Sequence, residues 1–287
     1  MVVLHFPWLI KDDKKYIQYI WKHRMNYPLN LETPKTYNEK LQWMKLYDRR
    51  PVYTTMVDKF AVKEYVAKNI GEEYIIPTIG VWDKTEEIDW DSLPNQFVLK
   101  CTHDSGGLVI CKDKGHLDIN VATAKLNKSL KRDFYMAARE WPYKNVPRRI
   151  IAEQYKEDEF GELRDYKFFC FNGEVKALFI ATDRQSRKEP YFDFFDADFN
   201  HLDMRHGHPN APKLPQKPKS FEKMKFLAAK LSEGMPEARI DFYDVNGHAY
   251  FGEITLFHHT GMVNFEPSKW DEIFGSWIEL PNNNCKI

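Results

Sequence analysis

The segment ARIDFYDVNGHAYFGEITL, residues 238–256, holds two acidic residues that could share a divalent cation. Its pattern predicts two strands joined by a turn at Asn246-Gly247, and side chains two residues apart share one face of a strand. The turn lies roughly midway between Asp241 and Glu253, so we expect their carboxylates to lie opposite each other. Two such acids in apolar strands repel each other unless a cation neutralises them, and Mg²⁺ prefers a carboxylate pair together with substrate phosphates.

Two further polar side chains accompany these acids on the same faces of the hairpin. Arg239 lies two residues before Asp241, and Thr255 lies two residues after Glu253. Arg239 would add positive charge for a phosphoryl group or an anionic substrate. The alternative is that both carboxylates face water on an edge hairpin and bind nothing.

The segment FVLKCTHDSGGLVI, residues 97–110, places Lys100 inside an apolar run that is followed by a glycine pair. The pattern predicts a hairpin whose turn is DSGG, residues 104–107. The hairpin could also hold phosphate, because lysine carries a positive charge and glycine lets backbone N–H groups approach an anion. The turn is not a Walker loop, since no Gly-Lys-Ser/Thr follows it. A plain hairpin and a phosphate-holding loop both remain open at this point.

Composition bounds the class of protein. The chain has 287 residues, of which 43% are hydrophobic, and this predicts a globular protein with two or three packed subdomains. Its 42 basic and 42 acidic side chains cancel, which argues against nucleic acid as a partner. No run of 18 apolar residues and no signal-peptide core occurs, so we expect a cytoplasmic protein that does not span a membrane.

The four cysteines also favour a reducing compartment. They show no Cys-x-x-Cys spacing, and three of them lie in apolar runs, where a thiol serves as a small core residue. They are Cys101, Cys111, Cys170 and Cys285.

The elements that must position these side chains follow from periodicity. Residues 13–69 have a helical pattern, with a capping box at Thr36-x-x-Glu39 and a helix stop at Gly71. A period of two then predicts strands, and three further segments have helical spacing. The predicted strands are 74–82, 96–101, 108–111, 149–155, 165–172, 174–182, 191–195, 239–245 and 249–256, and the predicted helices are 120–133, 221–231 and 268–274.

This arrangement predicts an α+β fold in three parts. A helical N-terminal region covers residues 1–72, a first α+β subdomain covers 73–155, and a second covers 156–287. A proline-rich loop at 209–218 interrupts the second subdomain. Helices and strands mix within each subdomain, so we expect both to contribute to one site.

The order of these segments resembles the ATP-grasp superfamily, in which two α+β subdomains grip a nucleotide. Asp58-Lys59 resembles the first ATP-binding lysine of these enzymes and Lys100 resembles the second. The turn at residues 104–107 resembles the flexible loop that closes over the phosphates. The resemblance therefore implies ATP as the nucleotide.

Two later segments and the acid hairpin extend the resemblance. IIAEQY, residues 150–155, resembles the strand and hinge that receive the adenine, and RDYK, residues 164–167, resembles the strand where an acid meets the ribose. Arg239-x-Asp241 and Glu253-x-Thr255 resemble the Arg-x-Asp and Glu-x-Asn metal strands. Thr255 stands where the superfamily usually has asparagine, and its hydroxyl is a weaker metal ligand, so one or two metal ions remain possible.

The resemblance implies a role for each site residue. Arg239 and Lys100 are the implied catalytic residues, and Asp241, Glu253 and Thr255 are the implied ligands of Mg²⁺. The implied nucleotide-binding residues are Lys59, Lys100, Ser105, Gly106, Gly107, Glu153, Gln154, Tyr155, Asp165 and Lys167.

Within the superfamily the chain resembles the TupA-like branch over nearly its whole length. The segments that carry this resemblance are TYNEKLQW at 36–43, Asp58-Lys59, DYKFFCFNG at 165–173 and DFY at 241–243. The branch resembles a protein implicated in teichuronopeptide synthesis and is found with bacterial surface-polysaccharide enzymes. It implies a bacterial cytoplasmic ligase that joins an amine to a hexuronic acid of a polysaccharide or its precursor, through an acylphosphate, with polysaccharide-assembly enzymes as associates.

Three other functions remain as alternatives. On the same fold, a kinase would stop after phosphoryl transfer to a sugar or an amine. Asp196 and Asp198 form an Asp-x-Asp pair, the metal motif of many glycosyltransferases. A nucleotide-binding module without catalysis would keep the lysines but would not need both Asp241 and Glu253.

Several other polar residues are weaker candidates. His206-x-His208 has metal-ligand spacing but no third ligand nearby in the sequence, so zinc is not expected there. His258-His259 follows the metal strand, and one of them could contact substrate. Lys63, one turn after Lys59, is expected to be a solvated helix charge. Lys167 and Arg184 are candidates for neutralising phosphate.

Overall fold

The structure is a computed structural model, and it describes residues 7–25, 27–159, 161, 163–183 and 189–281. Four helices form its N-terminal part. They are α1 (Asp13–Arg24), α2 (Tyr37–Tyr47), α3 (Val52–Val57) and α4 (Val62–Ile70). The predicted capping box is present, because the Thr36 hydroxyl accepts from the Glu39 N–H and the Glu39 carboxylate accepts from the Thr36 N–H. Helix α4 ends at Gly71, whose φ of 117° few other residues adopt.

A four-stranded antiparallel sheet follows. Its strands are β1 (Thr78–Trp82), β2 (Phe97–Cys101), β3 (Leu108–Cys111) and β4 (Ile150–Gln154), in the spatial order β1-β4-β2-β3. Strands β2 and β3 form the predicted hairpin, with Lys100 opposite Leu108. The helices α5 (Ile119–Leu130) and α6 (Phe134–Ala138) lie between β3 and β4 in the chain. Strand β1 begins at Thr78 rather than at residue 74, because residues 72–74 form a short 3₁₀ turn.

The second sheet has five antiparallel strands in the order β10-β9-β5-β6-β7. They are β5 (Asp165–Phe171), β6 (Glu174–Thr182), β7 (Tyr191–Asp196), β9 (Ala238–Val245) and β10 (His248–Thr255). A separate two-stranded pair consists of β8 (Arg205–His206) and β11 (Phe265–Glu266), which the sequence did not predict because each has only two residues. Helices α7 (Phe221–Leu231) and α8 (Lys269–Trp277) complete the fold. The predicted α+β class is confirmed.

Helices α2, α3 and α4 share one hydrophobic core with the five-stranded sheet, whereas the buried face of α1 packs in a separate small cluster. Tyr37 of α2 makes edge contacts with the rings of Phe169, Phe265 and Phe274. A smaller core fills the space between the four-stranded sheet and α5. The boundary predicted at residue 72 therefore separates chain segments whose side chains pack together.

Two further sequence predictions concern the membrane and the thiols. Within the described residues, no helix combines the length and the apolar character that a membrane crossing requires. Cys101, Cys111 and Cys170 are buried free thiols, as expected from their apolar surroundings. Cys285 lies outside the described residues.

The buried carboxyl of Glu237 predicts a pH-dependent stability. Its Oε1 accepts a hydrogen bond from the Tyr37 hydroxyl at 2.9 Å, and Oε2 has no hydrogen-bond partner. Burial raises the pKa of Glu237 to about 8. The folded state therefore binds more protons than the unfolded state between the ordinary pKa and this value, so stability falls as the pH rises through that window.

We expect Glu237→Gln to remove this decrease in the free energy of unfolding. The decrease is about 1.4 kcal/mol for each unit by which the folded pKa of Glu237 exceeds the unfolded one. Urea denaturation at about pH 5 and about pH 9 measures it, and the variant should be the more stable protein at the higher pH by more than about 2 kcal/mol. Glu233→Gln, at an exposed position, is the control. Equal pH slopes for wild type and Glu237→Gln would show that Glu237 is not responsible.

Candidate active site

A cleft lies between the two sheets, and both contribute to its lining. Many of the predicted site residues line it: Lys59, Lys100, Ser105, Gly106, Gly107, Glu153, Gln154, Tyr155, Asp165 and Glu253. Lys100 comes from the four-stranded sheet, whereas Asp165 and Glu253 come from the five-stranded sheet. The fold therefore brings the lysine hairpin and the acid hairpin, which are distant in the chain, to one cleft.

Two lysines hold the carboxylate of Glu153. Strands β2 and β4 are neighbours, and Lys100 Nζ lies 2.6 Å from Glu153 Oε2. Lys63 Nζ lies 2.5 Å from Oε1 and donates to the carbonyl of Ile76 and the hydroxyl of Thr78. The expectation that Lys63 is a solvated helix charge is therefore wrong, since only 15% of its side chain is exposed. Ile76 and Thr78, which follow α4 in the chain, supply these acceptors.

The electrostatics of this trio favour the charged forms of Glu153 and Lys100, whereas burial lowers the pKa of Lys63. Burial would raise the pKa of Glu153, but Lys100 and Lys63 outweigh it and hold that pKa below its ordinary value. Burial would lower the pKa of Lys100, but the Glu153 carboxylate raises it above the ordinary value. The role of Glu153 towards adenine stays a prediction, and the structure gives its carboxylate the further task of positioning Lys100.

The turn at residues 104–107 is stabilised by hydrogen bonds to the side chain of Asp104. Asp104 Oδ1 accepts from the N–H groups of Gly106 and Gly107 at 3.2 and 3.1 Å. The Ser129 hydroxyl donates to Asp104 Oδ2, and Lys59 Nζ donates to the Asp104 carbonyl. The two amides predicted for phosphate are thus satisfied by a carboxylate here. The sequence predicted Asp104 as part of the turn but not as a site residue, and it gave no indication of Ser129. An aspartate two and three residues before these glycines is nevertheless a typical Asx-turn pattern.

The two glycines differ in what a side chain would meet, and this yields a prediction. A Cβ on Gly107 would lie 2.4 Å from Ser129 Oγ and 2.5 Å from Cys101 Sγ, whereas the nearest atom to a Cβ on Gly106 is 3.4 Å away, on Arg132. We expect Gly107→Ala to destabilise the protein by about 1 to 3 kcal/mol, because overpacking displaces the buried Ser129–Asp104 contact. Gly106→Ala is the matched control and should change stability by less than about 1 kcal/mol. Chemical denaturation measures both, and equal losses would contradict the packing role of Gly107.

The acid hairpin has the predicted geometry. Asp241 of β9 and Glu253 of β10 are register partners, with a bulge at Gly252 that restores the pairing. Arg239 holds Asp241 through two hydrogen bonds, Nε to Oδ1 at 2.7 Å and Nη2 to Oδ2 at 2.8 Å. The same Nη2 lies 3.2 Å from Glu253 Oε1. The two carboxylates therefore converge on one nitrogen atom.

Lys167 adds a second positive charge to this cluster. Strands β5 and β9 pair with Lys167 opposite Asp241, so Lys167 Nζ contacts Asp241 Oδ2 and lies 3.1 Å from Asp165 Oδ1. Lys167 therefore contacts the acids, and its predicted role towards phosphate stays a prediction. Arg184, the other candidate for neutralising phosphate, lies outside the described residues.

Arg239 also joins the acids to two residues beyond them. Its Nη2 donates to Thr255 Oγ1 at 2.9 Å, and its Nη1 donates to His258 Nδ1 at 2.6 Å. Burial would lower the pKa of Arg239, but Asp241 and Glu253 raise it above the ordinary value. The guanidinium is therefore a permanent charge between the two acids and His258.

The donor atoms of the acid hairpin fit Mg²⁺. Carboxylate oxygens are its preferred protein ligands, and those of Asp241 and Glu253 converge on a single positively charged atom. Glu253 lines the cleft with 38% of its side chain exposed, whereas Asp241 is 1% exposed and already neutralised by Arg239 and Lys167. Glu253 is therefore the more accessible of the two predicted ligands.

The Asp-x-Asp pair has a local structural role. Asp196 Oδ1 accepts from the N–H groups of Asp198 and Asn200, and Oδ2 accepts from the Asn200 amide. These contacts close the turn after β7. Neither aspartate is part of the cleft lining, which gives the glycosyltransferase alternative no support.

The chain was compared with curated proteins and with solved structures. A comparison with curated proteins returned no match. The D-alanine–D-alanine ligase of Bacillus anthracis is similar at 14% identity and a TM-score of 0.41, over 70% of this chain and 57% of that one. The Helicobacter pylori ligase of the same name has 12% identity and a TM-score of 0.45, over 84% and 69%.

A third solved structure is N5-carboxyaminoimidazole synthase from Aspergillus clavatus, with 13% identity and a TM-score of 0.40, over 72% of this chain and 46% of that one. The chain thus spans 57% of the Bacillus anthracis ligase and less than half of the synthase. At these identities and TM-scores the similarities support no conclusion about substrate.

A family model gives the decisive match. The model described as TupA-like ATPgrasp matches residues 39–279, which include both sheets, the cleft between them and the acid hairpin. This confirms the resemblance to the ATP-grasp superfamily and its TupA-like branch that was found in the sequence. The chain belongs to the TupA-like ATP-grasp family.

Proposed function

We propose that this chain is an ATP-dependent carboxylate–amine ligase that joins an amine to a hexuronic acid of a bacterial surface polysaccharide or its precursor. The observation that carries the proposal is the cleft itself. It sets Lys59 and Lys100 from one side against Glu253 and Asp165 from the other. This is a charge distribution suited to a polyphosphate with its metal ion, and membership in the TupA-like family supports the polysaccharide substrate.

The reaction would proceed in two steps. A carboxylate oxygen of the acid attacks the γ-phosphorus of ATP, the bond from that phosphorus to the bridging oxygen breaks, and ADP leaves. The amine nitrogen then attacks the acyl carbon, phosphate leaves with the carbon–oxygen bond electrons, and the nitrogen loses a proton to give the amide. Neither step requires a nucleophilic side chain of the protein. The main catalytic requirement is to stabilise negative charge on phosphate and acyl oxygens.

Residues that line the cleft, and residues of the acid hairpin beside it, would meet that requirement in different ways. Lys59 and Lys100 would bind phosphate oxygens of ATP, and Lys100 is held ready by Glu153. Arg239 lies beside both acids, where it would stabilise the transferring phosphoryl group and the oxyanion of the amide-forming step. Mg²⁺ would neutralise phosphate charge, and Asp241 and Glu253, with Thr255 as a weaker ligand, are the residues that would hold it.

The partners and location follow from the same proposal. The chain would act in the bacterial cytoplasm, associated with polysaccharide-assembly enzymes that supply the uronic acid. The formal net charge of zero gives no support for a nucleic-acid partner.

Interception of the acylphosphate is the experiment that tests the ligase. Glucuronate- or galacturonate-containing acceptors are incubated with ATP and Mg²⁺, and hydroxylamine replaces the amine. We expect acceptor-dependent ADP release and a hydroxamate on the acceptor, because a mixed anhydride reacts with amines whereas an alkyl phosphate does not. A stable phosphate ester without hydroxamate, detected by mass spectrometry, would identify a kinase and would contradict the ligase.

A further inference from the structure

Three histidines from two distant segments meet on the far side of Arg239. His206 ends β8, and His258 and His259 lie in the turn that follows β10. One ring nitrogen of each lies within 4.8 Å of those of the other two. The sequence offered only His206-x-His208, without a third ligand, and the tertiary structure supplies the missing ones from about 50 residues further along the chain.

Each of these rings has a nitrogen atom without a hydrogen-bond partner: His206 Nδ1, His258 Nε2 and His259 Nε2. His206 is 0% and His258 1% exposed, so two of these atoms are shielded from bulk water. Buried polar atoms nearly always have a partner, so unpartnered nitrogen atoms on three neighbouring rings point to a bound ligand. Imidazole nitrogen is the commonest protein ligand of Zn²⁺ and related ions.

The imidazoles are uncharged, as metal-binding imidazoles must be. Burial lowers the pKa of His206 and His258 well below the ordinary value and that of His259 to about 4. His206 Nε2 lies 3.1 Å from the carbonyl of Val263, so Nε2 carries the proton and Nδ1 presents its lone pair. Such a backbone contact orients metal-binding histidines in many proteins.

The backbone around the cluster is built to hold it. His259 and Thr260 have φ of 48° and 56°, and Gly261 has 61°, a left-handed run that side chains rarely adopt. Helix α2 fixes this run, since Gln42 Nε2 donates to the Gly261 carbonyl at 2.7 Å and Lys45 Nζ to the Thr260 carbonyl at 2.6 Å. Strained backbone that other elements hold in place is concentrated at functional sites.

Gly207 leaves space beside the ring of His259. A Cβ at this position would lie 2.7 Å from His259 Nε2. Its φ of 82° also favours glycine. The one unpartnered nitrogen that belongs to a half-buried ring therefore faces a position without a side chain.

We propose that His206, His258 and His259 form a binding site for a transition-metal ion of the Zn²⁺ class, and that its occupation excludes the hydrogen bond between Arg239 and His258. Arg239 Nη1 donates to His258 Nδ1 at 2.6 Å, so Nε2 carries the proton in this structure. A metal ion at Nε2 requires that the proton moves to Nδ1, and the number of protons is unchanged. The Nδ1–H group would then face a guanidinium that cannot accept a hydrogen bond.

The charges nearby set the strength and the consequence of binding. Arg239 and Lys167 are both positive and both disfavour additional positive charge on His258. The ion therefore competes with Arg239, and it would release the guanidinium that also holds Asp241 and Glu253. This links the histidine site to the acid cluster, and the proposal does not depend on which reaction the cleft performs.

Titration of the chelator-treated protein with Co²⁺ tests the site. We expect one Co²⁺ per chain with the intense visible absorption of low-coordinate, nitrogen-bound cobalt, and its loss on addition of Zn²⁺. His259→Asn and His206→Asn should each weaken binding at least tenfold, and asparagine suits the left-handed backbone at residue 259. His201→Asn, at an exposed histidine, is the control and should bind as wild type does.

Arg239→Gln tests the exclusion. Removal of the competing donor and its charge should tighten Co²⁺ binding at least tenfold, and unchanged or weaker binding by the folded variant would refute the exclusion. Only the weak spectrum of six-coordinate Co²⁺ on the wild-type protein would refute the site. Wild-type affinity in both folded histidine variants would do the same. If one histidine variant fails to fold by circular dichroism, the other decides.

Discussion

Glu253→Gln is expected to reduce turnover by at least about a hundredfold, the scale on which a lost electrostatic contact to a reacting phosphate is felt, while stability stays close to that of the wild type. Glu253 lines the cleft, and more than a third of its side chain is exposed. Its amide replacement keeps the shape but removes the charge that would hold Mg²⁺. ADP release with the acceptors of the hydroxamate assay measures turnover, and denaturation by urea measures stability.

Asp241→Asn should lose turnover as well, but also stability. Asp241 is 1% exposed and contacts two cations, Arg239 and Lys167. Removal of one partner from a buried ion pair leaves charge unpaired, and this costs about 3 kcal/mol or more. The sequence alone suggested that both acids hold metal rather than the fold, and the burial of Asp241 changes that expectation.

Asp196→Asn is the control for both variants, because Asp196 closes a turn outside the cleft. It should leave turnover unchanged. Full activity of Glu253→Gln together with an inactive but folded Asp196→Asn protein would instead favour a glycosyltransferase.

Lys100→Met is expected to weaken Mg-ATP binding while the protein remains folded. A charge-assisted hydrogen bond to phosphate is worth about 1.5 to 3 kcal/mol, which corresponds to a rise in Kd of roughly 10- to 150-fold. The fold should survive, because Lys63 still neutralises the Glu153 carboxylate at 2.5 Å. Isothermal titration calorimetry measures the affinity.

Lys63→Met is the matched control for this measurement. Lys63 contacts the other oxygen of the same carboxylate but is not part of the cleft lining. Its loss should change the Kd for Mg-ATP by less than about threefold, because the ion pair between Glu153 and Lys100 stays intact. Equal affinity of the Lys100→Met and wild-type proteins would show that Lys100 does not bind phosphate and that the β2–β3 hairpin has only a structural role.

The local elements could be predicted from sequence because each depends on near neighbours. The DSGG turn, the capping box at Thr36 and the hairpin turn at Asn246-Gly247 all appear where turn and cap chemistry predicted them. The predictions from sequence were wrong at one strand boundary and where strands are very short. Strand β1 begins four residues late, and the pair β8–β11 was missed, since two residues have no detectable period.

The sequence by itself determined the family, the α+β class and many of the residues that line the cleft, because motif order and side-chain types are properties of the chain. Only the tertiary structure decided which charges meet. Lys167 and Asp241 are 74 residues apart in the chain and became partners because β5 pairs with β9. Lys63 of α4 became the partner of Glu153 on β4, and His206 was brought to His258. Such pairings depend on strand order and on how the N-terminal helices pack, and no local period in the sequence encodes either.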